Sequence, residues 1–201
     1  MIYIFHHIYP FKAGEQIAEE QKNRLYRSIN QEFIYFPNTV NEDKNELSTL
    51  KLIQNEVLSL DDSDFVFYLH TKSATKKNSG TSEWREYMEK HLIDGYQNHI
   101  HALDSGFNTS GCLMGIPFWS ENIYGGNFWW ATVKYLKTIK IEIDPNSKRR
   151  YLAEWNFISK GDEWKPFSIP ANDIHEYKNF SDLLLTQIYV KLKRMFSEKI
   201  I

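Results

Sequence analysis

Three consecutive residues after an apolar segment have side chains suited to binding phosphate. His70, Thr71 and Lys72 follow directly on Phe65–Leu69, and further lysines and hydroxyls continue as far as Gly80. A diphosphate needs cationic partners and hydrogen-bond donors, and this segment supplies both. The His70 imidazole could also ligate a metal ion. A solvated basic loop, with His70 closing the strand, is the alternative interpretation.

A second segment combines paired glycines with two tryptophans. Gly125 and Gly126 precede Asn127, and Trp129 and Trp130 follow shortly after. Paired glycines allow a backbone to approach a ligand closely and, ahead of a helix, leave N–H groups free for an anion or hydroxyl. Adjacent tryptophans on the helix predicted here cannot share one face, so we expect at least one to border solvent or ligand. A tight turn with both indoles packed is the alternative.

Glu154 is a carboxylate within an otherwise aromatic and apolar segment. Its neighbours Tyr151, Leu152 and Trp155 are typical of buried chain, where an unpaired charge is costly. Glu154 is therefore expected either to pair with a base such as Arg150 or to act as a general base with a raised pKa.

The elements that must position these residues follow the order β-α-β-α-β. They are a strand at Ile2–Tyr9, a helix at Gly14–Asn30, a strand at Glu32–Phe36 closed by Pro37-Asn38, a helix at Glu46–Leu60 and a strand at Phe65–Leu69. This order predicts right-handed crossovers and a mostly parallel central sheet flanked by helices. Phe65–Leu69, apolar on both faces, belongs in the middle of that sheet. Ligands bind at the carboxyl ends of such strands, which nominates residues 70–72 by position.

The rest of the chain continues the α/β pattern without a linker or repeat, which predicts a single domain over residues 1–201. We expect a helix capped by Ser82, a strand at Asn108–Ile116, a helix from about Phe128 to Thr138 and a closing helix at Phe180–Ile201.

Composition excludes several classes of function. The 201 residues have a formal net charge of −2, so no strong field favours nucleic acid. Cys112 is the one cysteine, so the CxxC pairs of a zinc site are absent from the sequence and a reducing compartment is expected. No apolar run approaches the length needed to cross a bilayer. These features predict a cytoplasmic protein with at most peripheral membrane association.

Four spaced motifs together resemble a known family. They are Phe67–Ser73, Trp84-Arg85 with Met88, Tyr124–Ala131 and Arg150–Trp155. The set resembles glycosyltransferase-like domains of viral and bacterial surface-glycan enzymes, including rhamnosyltransferase domains, over roughly residues 1 to 160. The resemblance implies a GT-A (Rossmann-like) nucleotide-diphospho-sugar transferase fold. It also implies a nucleotide-sugar donor, with UDP the expected nucleotide, and a glycan hydroxyl as acceptor.

The resemblance also implies roles for individual residues. His-Thr-Lys at 70–72 stands where many GT-A enzymes have Asp-x-Asp, which leaves a requirement for Mn²⁺ or Mg²⁺ open, and Lys72 could neutralise diphosphate charge instead. Asn127 and Glu154 are the expected catalytic residues. The expected substrate-binding residues are His6, His70, Thr71, Lys72, Arg85, Gly125, Gly126, Trp129 and Trp130, with His70 also the candidate metal ligand. A non-catalytic glycan- or nucleotide-binding module is the alternative function.

Overall fold

A computed structural model describes residues 1–39, 46–72, 74, 79–114, 124–144, 157–170, 172–183 and 185. Within these residues, six β-strands form one mixed sheet in the order β2-β1-β3-β5-β4-β6. The strands are β1 (Ile2–Ile8), β2 (Phe33–Thr39), β3 (Phe65–His70), β4 (Thr109–Cys112), β5 (Trp129–Thr132) and β6 (Pro166–Ile169). Of these, only β5 runs against its neighbours β3 and β4, and the other pairs are parallel.

Helices cover both faces of the sheet. They are α1 (Lys12–Ser28), α2 (Leu47–Glu56), α3 (Ser79–Glu89), α4 (Tyr96–Asp104) and α5 (Val133–Leu136), and a π-helical turn at Lys90–Asp94 links α3 to α4. Leu25 of α1 packs in one core with Ile4 and Phe67, together with α3 and α4. Ile53 of α2 packs in a second core with Phe5, on the opposite face, together with α5. The expected α/β class is therefore confirmed, as a mixed sheet between two helical layers.

The path of the first three strands creates a switch in direction. From β1 the chain passes through α1 to β2 on one side, and from β2 it passes through α2 to β3 on the other side of β1. The crossover helices α1 and α2 therefore lie on opposite faces of the sheet, whereas β1 and β3 both lead on to helices of one face, α1 and α3. Open α/β sheets bind ligands outside the carboxyl ends of their strands, at a point where the strand order reverses as it does at β1.

Strand β3 has the interior position predicted for Phe65–Leu69. It lies between β1 and β5, and Val66 to His70 are all buried. Residues buried on both faces of a strand need helices above and below the sheet, and the two cores supply them.

Two predicted elements differ most from the structure. β2 runs through Pro37 and Asn38 to Thr39, because β2 is an edge strand that pairs only with β1, where a missing N–H is tolerated. The segment predicted as a helix from Phe128 is instead strand β5, followed by the single helical turn of α5. Adjacent residues of a strand face opposite sides of a sheet, so Trp129 and Trp130 each fill a different core.

None of the helices in the described ranges is long and apolar enough to span a membrane.

Candidate functional site

The carboxyl ends of β1 and β3 are joined by two hydrogen bonds beyond the regular ladder. The backbone N–H of Thr71 donates to the carbonyl of His7 at 3.0 Å. The backbone N–H of Tyr9 donates to Thr71 Oγ1 at 2.9 Å. Thr71 is 1% exposed, so its hydroxyl fixes the exits of both strands and is not presented to solvent.

His70 connects β3 to the glycine segment. Its Nε2 lies 2.9 Å from the carbonyl oxygen of Gly126, and its ring packs edge-on against Phe128. Because a carbonyl oxygen only accepts, Nε2 must carry a proton. The two segments predicted to share one site, 70–72 and 125–130, are therefore in direct contact although more than fifty residues separate them.

The glycine segment is a tight turn that requires glycine at position 126. The N–H of Asn127 donates to the carbonyl of Tyr124 at 3.1 Å, and Gly126 has a φ of 84°, as the third residue of a type II turn does. A Cβ on Gly126 would lie 2.3 Å from Met88 Sδ, so this turn approaches α3 too closely for a side chain. Asn127 follows with a φ of 58°, a conformation that Asn tolerates better than most residues.

Glu46, immediately before α2, is a site residue that was not predicted from the sequence. Its Oε2 accepts from Asn127 Nδ2 at 2.7 Å and from the Tyr68 hydroxyl at 3.2 Å, and its Oε1 lies 3.7 Å from His70 Nδ1. Burial alone would raise the pKa of Glu46, but the attraction of His70 and the Asn127 hydrogen bond hold it below its usual value. Glu46 is therefore a buried carboxylate anion.

Topology provides a signal that could have identified Glu46. A crossover helix that follows a parallel strand begins at the carboxyl edge of the sheet. A carboxylate at the start of α2 is therefore placed beside the ends of β1 and β3, although Glu46 was interpreted only as the first residue of a helix.

Two further histidines at this edge are buried and neutral. His6 Nδ1 lies 2.7 Å from the Tyr35 hydroxyl, and burial lowers the pKa of His6 to about 3. His7 Nδ1 lies 2.8 Å from Thr49 Oγ1, and burial lowers the pKa of His7 to about 4. His6 is fully buried and supports the strand end through Tyr35, and its expected contact with a ligand stays a prediction.

Lys72 is a partly exposed cation at this edge of the sheet. Its Nζ lies 3.8 Å from the centroid of the Trp84 ring on α3, a cation–π distance, and its backbone N–H donates to the His70 carbonyl. The indole holds the ammonium beside the glycine turn, because Trp84 also borders Gly126.

Arg85 faces carboxylates rather than the open edge. Its Nη1 lies 3.2 Å from Glu89 Oε1 and 3.6 Å from Glu20 Oε2. Gln21 also donates to Glu89, at 2.7 Å, and to the His70 carbonyl at 3.3 Å. Arg85 thus belongs to a polar network between α1, α3 and the end of β3. Its expected contact with a diphosphate stays a prediction.

Trp129 and Trp130 lie in the core, and neither has exposed surface. Trp130 stacks on Phe67 and donates its indole N–H to the Leu92 carbonyl at 2.9 Å. Trp129 stacks on Phe157 in the opposite core. The expected contact of one indole with ligand is replaced by the alternative, a turn with both indoles packed.

A metal site does not fit the residues that the structure describes. Among them, no three His, Cys, Asp or Glu side chains are grouped so as to hold an ion. The Nε2 proton of His70 points to Gly126, so Nδ1 is the nitrogen of this ring that could ligate an ion, and it faces Glu46 Oε1 at 3.7 Å. Glu154 and Arg150 lie outside the described residues.

The chain belongs to the family described as a domain of unknown function, DUF8361, whose model matches residues 4–158. The matched span includes β1, β3, Glu46 and the glycine turn. No curated protein and no solved structure matches the chain.

Proposed function

We propose that this DUF8361 protein is a glycosyltransferase with a GT-A-type fold, which moves a sugar from a nucleotide-diphosphate donor, with UDP as the nucleotide, to a glycan hydroxyl. The proposal rests on the sequence resemblance together with one structural observation. That observation is the convergence of Lys72, His70 and the Gly125–Gly126 turn at the switch point between β1 and β3.

The surroundings of β1 support a place for the nucleotide base. Tyr9 and Phe11 follow β1, and their ring planes are inclined by 16°. Phe11 is 38% exposed although it is apolar. Aromatic faces suit nucleobases, and the switch point brings this pair to the edge where ligands bind.

The diphosphate is proposed to lie beside Lys72. An ammonium held by an indole and partly open to solvent can offset the charge of the leaving diphosphate. Gly125 would then border the sugar, where the missing side chain permits close approach, whereas the space of the missing Cβ of Gly126 is taken by Met88. Asn127, whose amide binds Glu46, is assigned to shaping this turn.

The transfer step needs one new bond and one proton acceptor. The acceptor hydroxyl oxygen attacks the anomeric carbon, the bond from that carbon to the diphosphate oxygen breaks, and UDP leaves with the electron pair. In an inverting reaction the hydroxyl proton passes to a carboxylate, for which we propose Glu154. Glu46 and Glu89 do not suit this step, because both are buried and already accept hydrogen bonds.

A non-catalytic glycan- or nucleotide-binding module is the second candidate. Glu46 and Glu89 favour the binding module, because both carboxylates already accept hydrogen bonds from other side chains of the protein. The two candidates share a ligand and differ in turnover.

The experiment is a panel of UDP-sugars and GDP-sugars incubated with the protein and glycan acceptors, with Mn²⁺, with Mg²⁺ and with EDTA. We expect mass spectrometry to detect transfer or slow hydrolysis of one donor, and Glu154→Gln to lower that rate on the order of a hundredfold while donor binding persists. Binding of a donor or a glycan without any turnover would favour the binding module, and no binding of any nucleotide sugar or glycan acceptor would contradict both.

A further inference from the structure

The Glu46 carboxylate lies where three separate segments meet. It precedes α2, accepts the Tyr68 hydroxyl from β3, and accepts the Asn127 amide from the turn before β5. His70 Nδ1 approaches the other carboxylate oxygen at 3.7 Å. Through Asn127 and His70, Glu46 contacts both groups that fix the position of the Gly125–Gly126 turn.

The geometry also favours one charge state of His70. Nε2 donates to the Gly126 carbonyl, so in a neutral ring Nδ1 would carry no proton and its lone pair would face the Glu46 carboxylate. The lone pair and the carboxylate would repel each other. A ring protonated on both nitrogens instead attracts the carboxylate and keeps the hydrogen bond to Gly126. A buried carboxylate is tolerated when it is paired and hydrogen-bonded in this way.

We infer that Glu46 is a positioning residue of the donor site, which holds His70 as an imidazolium and Asn127 in its turn, and thereby fixes the glycine turn against β3. This inference rests on the proposed function for its consequence, since the turn is the part assigned to the sugar. The link between Glu46 and His70 is independent of any ligand.

Several other titratable groups surround the pair. They are His6 and His7 on β1, Tyr68 on β3 and Lys72 after β3. His6 and His7 are neutral at pH 7, and Lys72 acts on Glu46 from the solvent side. Glu46 is thus the anion that faces the His70 ring among the groups described.

The first measurement follows the His70 ring itself, by NMR of protein labelled with ¹⁵N-histidine, without any nucleotide. In the native protein at pH 7 we expect both ring nitrogens of His70 to be protonated. In Glu46→Gln we expect Nδ1 to lose its proton while Nε2 keeps its bond to Gly126. A neutral His70 in the native protein, or an unchanged ring in Glu46→Gln, would overturn the inference.

The second measurement is UDP affinity by calorimetry. Glu46→Gln keeps an acceptor for Asn127 but removes the charge, and we expect UDP to bind roughly tenfold more weakly. Tyr68→Phe is the matched control, because it removes a neutral hydrogen bond to the same carboxylate, and we expect less than about a twofold change.

Asn127→Gly provides a second variant should Glu46→Gln fail to fold. Glycine accepts the positive φ of this position, so the change removes only the amide that binds Glu46. We expect UDP binding to weaken several-fold. UDP binding equal to the native protein in both variants would overturn the positioning role and leave the proposed function intact.

Failure of the proposed function would give a different pair of experimental results. In that case the native protein would not bind UDP, whereas the ring protonation in native and Glu46→Gln protein would still report whether Glu46 holds His70.

Discussion

At the scale of single residues, the candidate site is organised by charges that are buried and paired. Glu46 is ionised although it is only 8% exposed, because Asn127 and Tyr68 donate to it and His70 faces it. Lys72 differs from these residues, because it is partly exposed and rests on an aromatic face. The buried residues therefore shape the edge of the sheet, and Lys72 is the group positioned to meet an anion.

Replacing Lys72 by alanine should weaken UDP binding by roughly 1.5–3 kcal/mol, the range of a hydrogen bond to a charged group. The melting temperature should change little, since a partly exposed cation contributes little to stability. Lys165→Ala is the control, because Lys165 precedes β6, away from β1 and β3, with a side chain that is 62% exposed. Equal UDP affinities of native protein and Lys72→Ala in calorimetry would contradict a diphosphate contact and favour the alternative interpretation, in which Lys72 is part of a solvated loop.

At the scale of elements, the turn at Tyr124–Asn127 is the feature that joins β3, α3 and β5. Its carbonyl at Gly126 binds His70, and the Gly126 Cα side faces Met88 and Trp84. The turn thus lies between a strand and a helix with no room for a Cβ at position 126.

Gly126→Ala should lower the free energy of unfolding more than Gly106→Ala does. Both glycines have positive φ, at 84° and 99°, so alanine meets similar backbone strain at each. At Gly126 the new methyl also collides with Met88, whereas at Gly106 it meets open space. We expect a difference of roughly 1–3 kcal/mol, the range for overpacking a filled core. Urea denaturation measures it, and equal losses at the two sites would contradict the close packing of the turn.

Periodicity of the sequence predicts some elements well and others poorly. Phe65–Leu69 is a continuous apolar run bounded by turn residues, so its place inside the sheet was predictable and is confirmed. Trp129 and Trp130 are also continuous and apolar, but a short run does not distinguish a strand from a helix. Only the pairing of β5 with β3 and β4 decides between them, and that pairing is remote in sequence.

The residues of the candidate site likewise differ in how well the sequence predicts them. His70 and Lys72 were predicted because they end a buried strand, which is a local signal. Glu46 was missed because its role depends on Asn127, which is 81 residues away. Contacts of that kind depend on the topology of the sheet, which the sequence pattern defines only in outline.

At the scale of the whole molecule, neutral histidines are buried both in the sheet, on β1, and on helix α4. His6 has a pKa of about 3, and His7 and His99 each have a pKa of about 4, in each case chiefly because burial disfavours the charged ring. The unfolded chain has ordinary histidines with pKa values near 6.5. Below that pH the unfolded state therefore binds more protons than the folded state, and folding loses stability.

We expect the contribution of His6, His7 and His99 to the free energy of unfolding to be nearly constant above pH 7 and to fall as the pH drops from about 6.5 to 5. Each neutral histidine should contribute a loss on the order of 2 kcal/mol at pH 5. Urea titrations at pH 7.5, 6 and 5 test this expectation. His99→Gln should reduce the slope, and His101→Gln, at an exposed position on the same helix, should not. A pH-independent free energy of unfolding would contradict it.

The most direct test of the central claim is to titrate ¹⁵N-labelled protein with UDP and follow the backbone amide signals by NMR. The claim is that a nucleoside diphosphate binds at the carboxyl edge of β1 and β3. We predict saturable shifts at Tyr9, Thr71, Lys72 and the Gly125–Asn127 turn, with little change at Leu60–Asp64 on the opposite edge of the sheet. Shifts confined to that opposite edge, or none at millimolar UDP, would contradict the account.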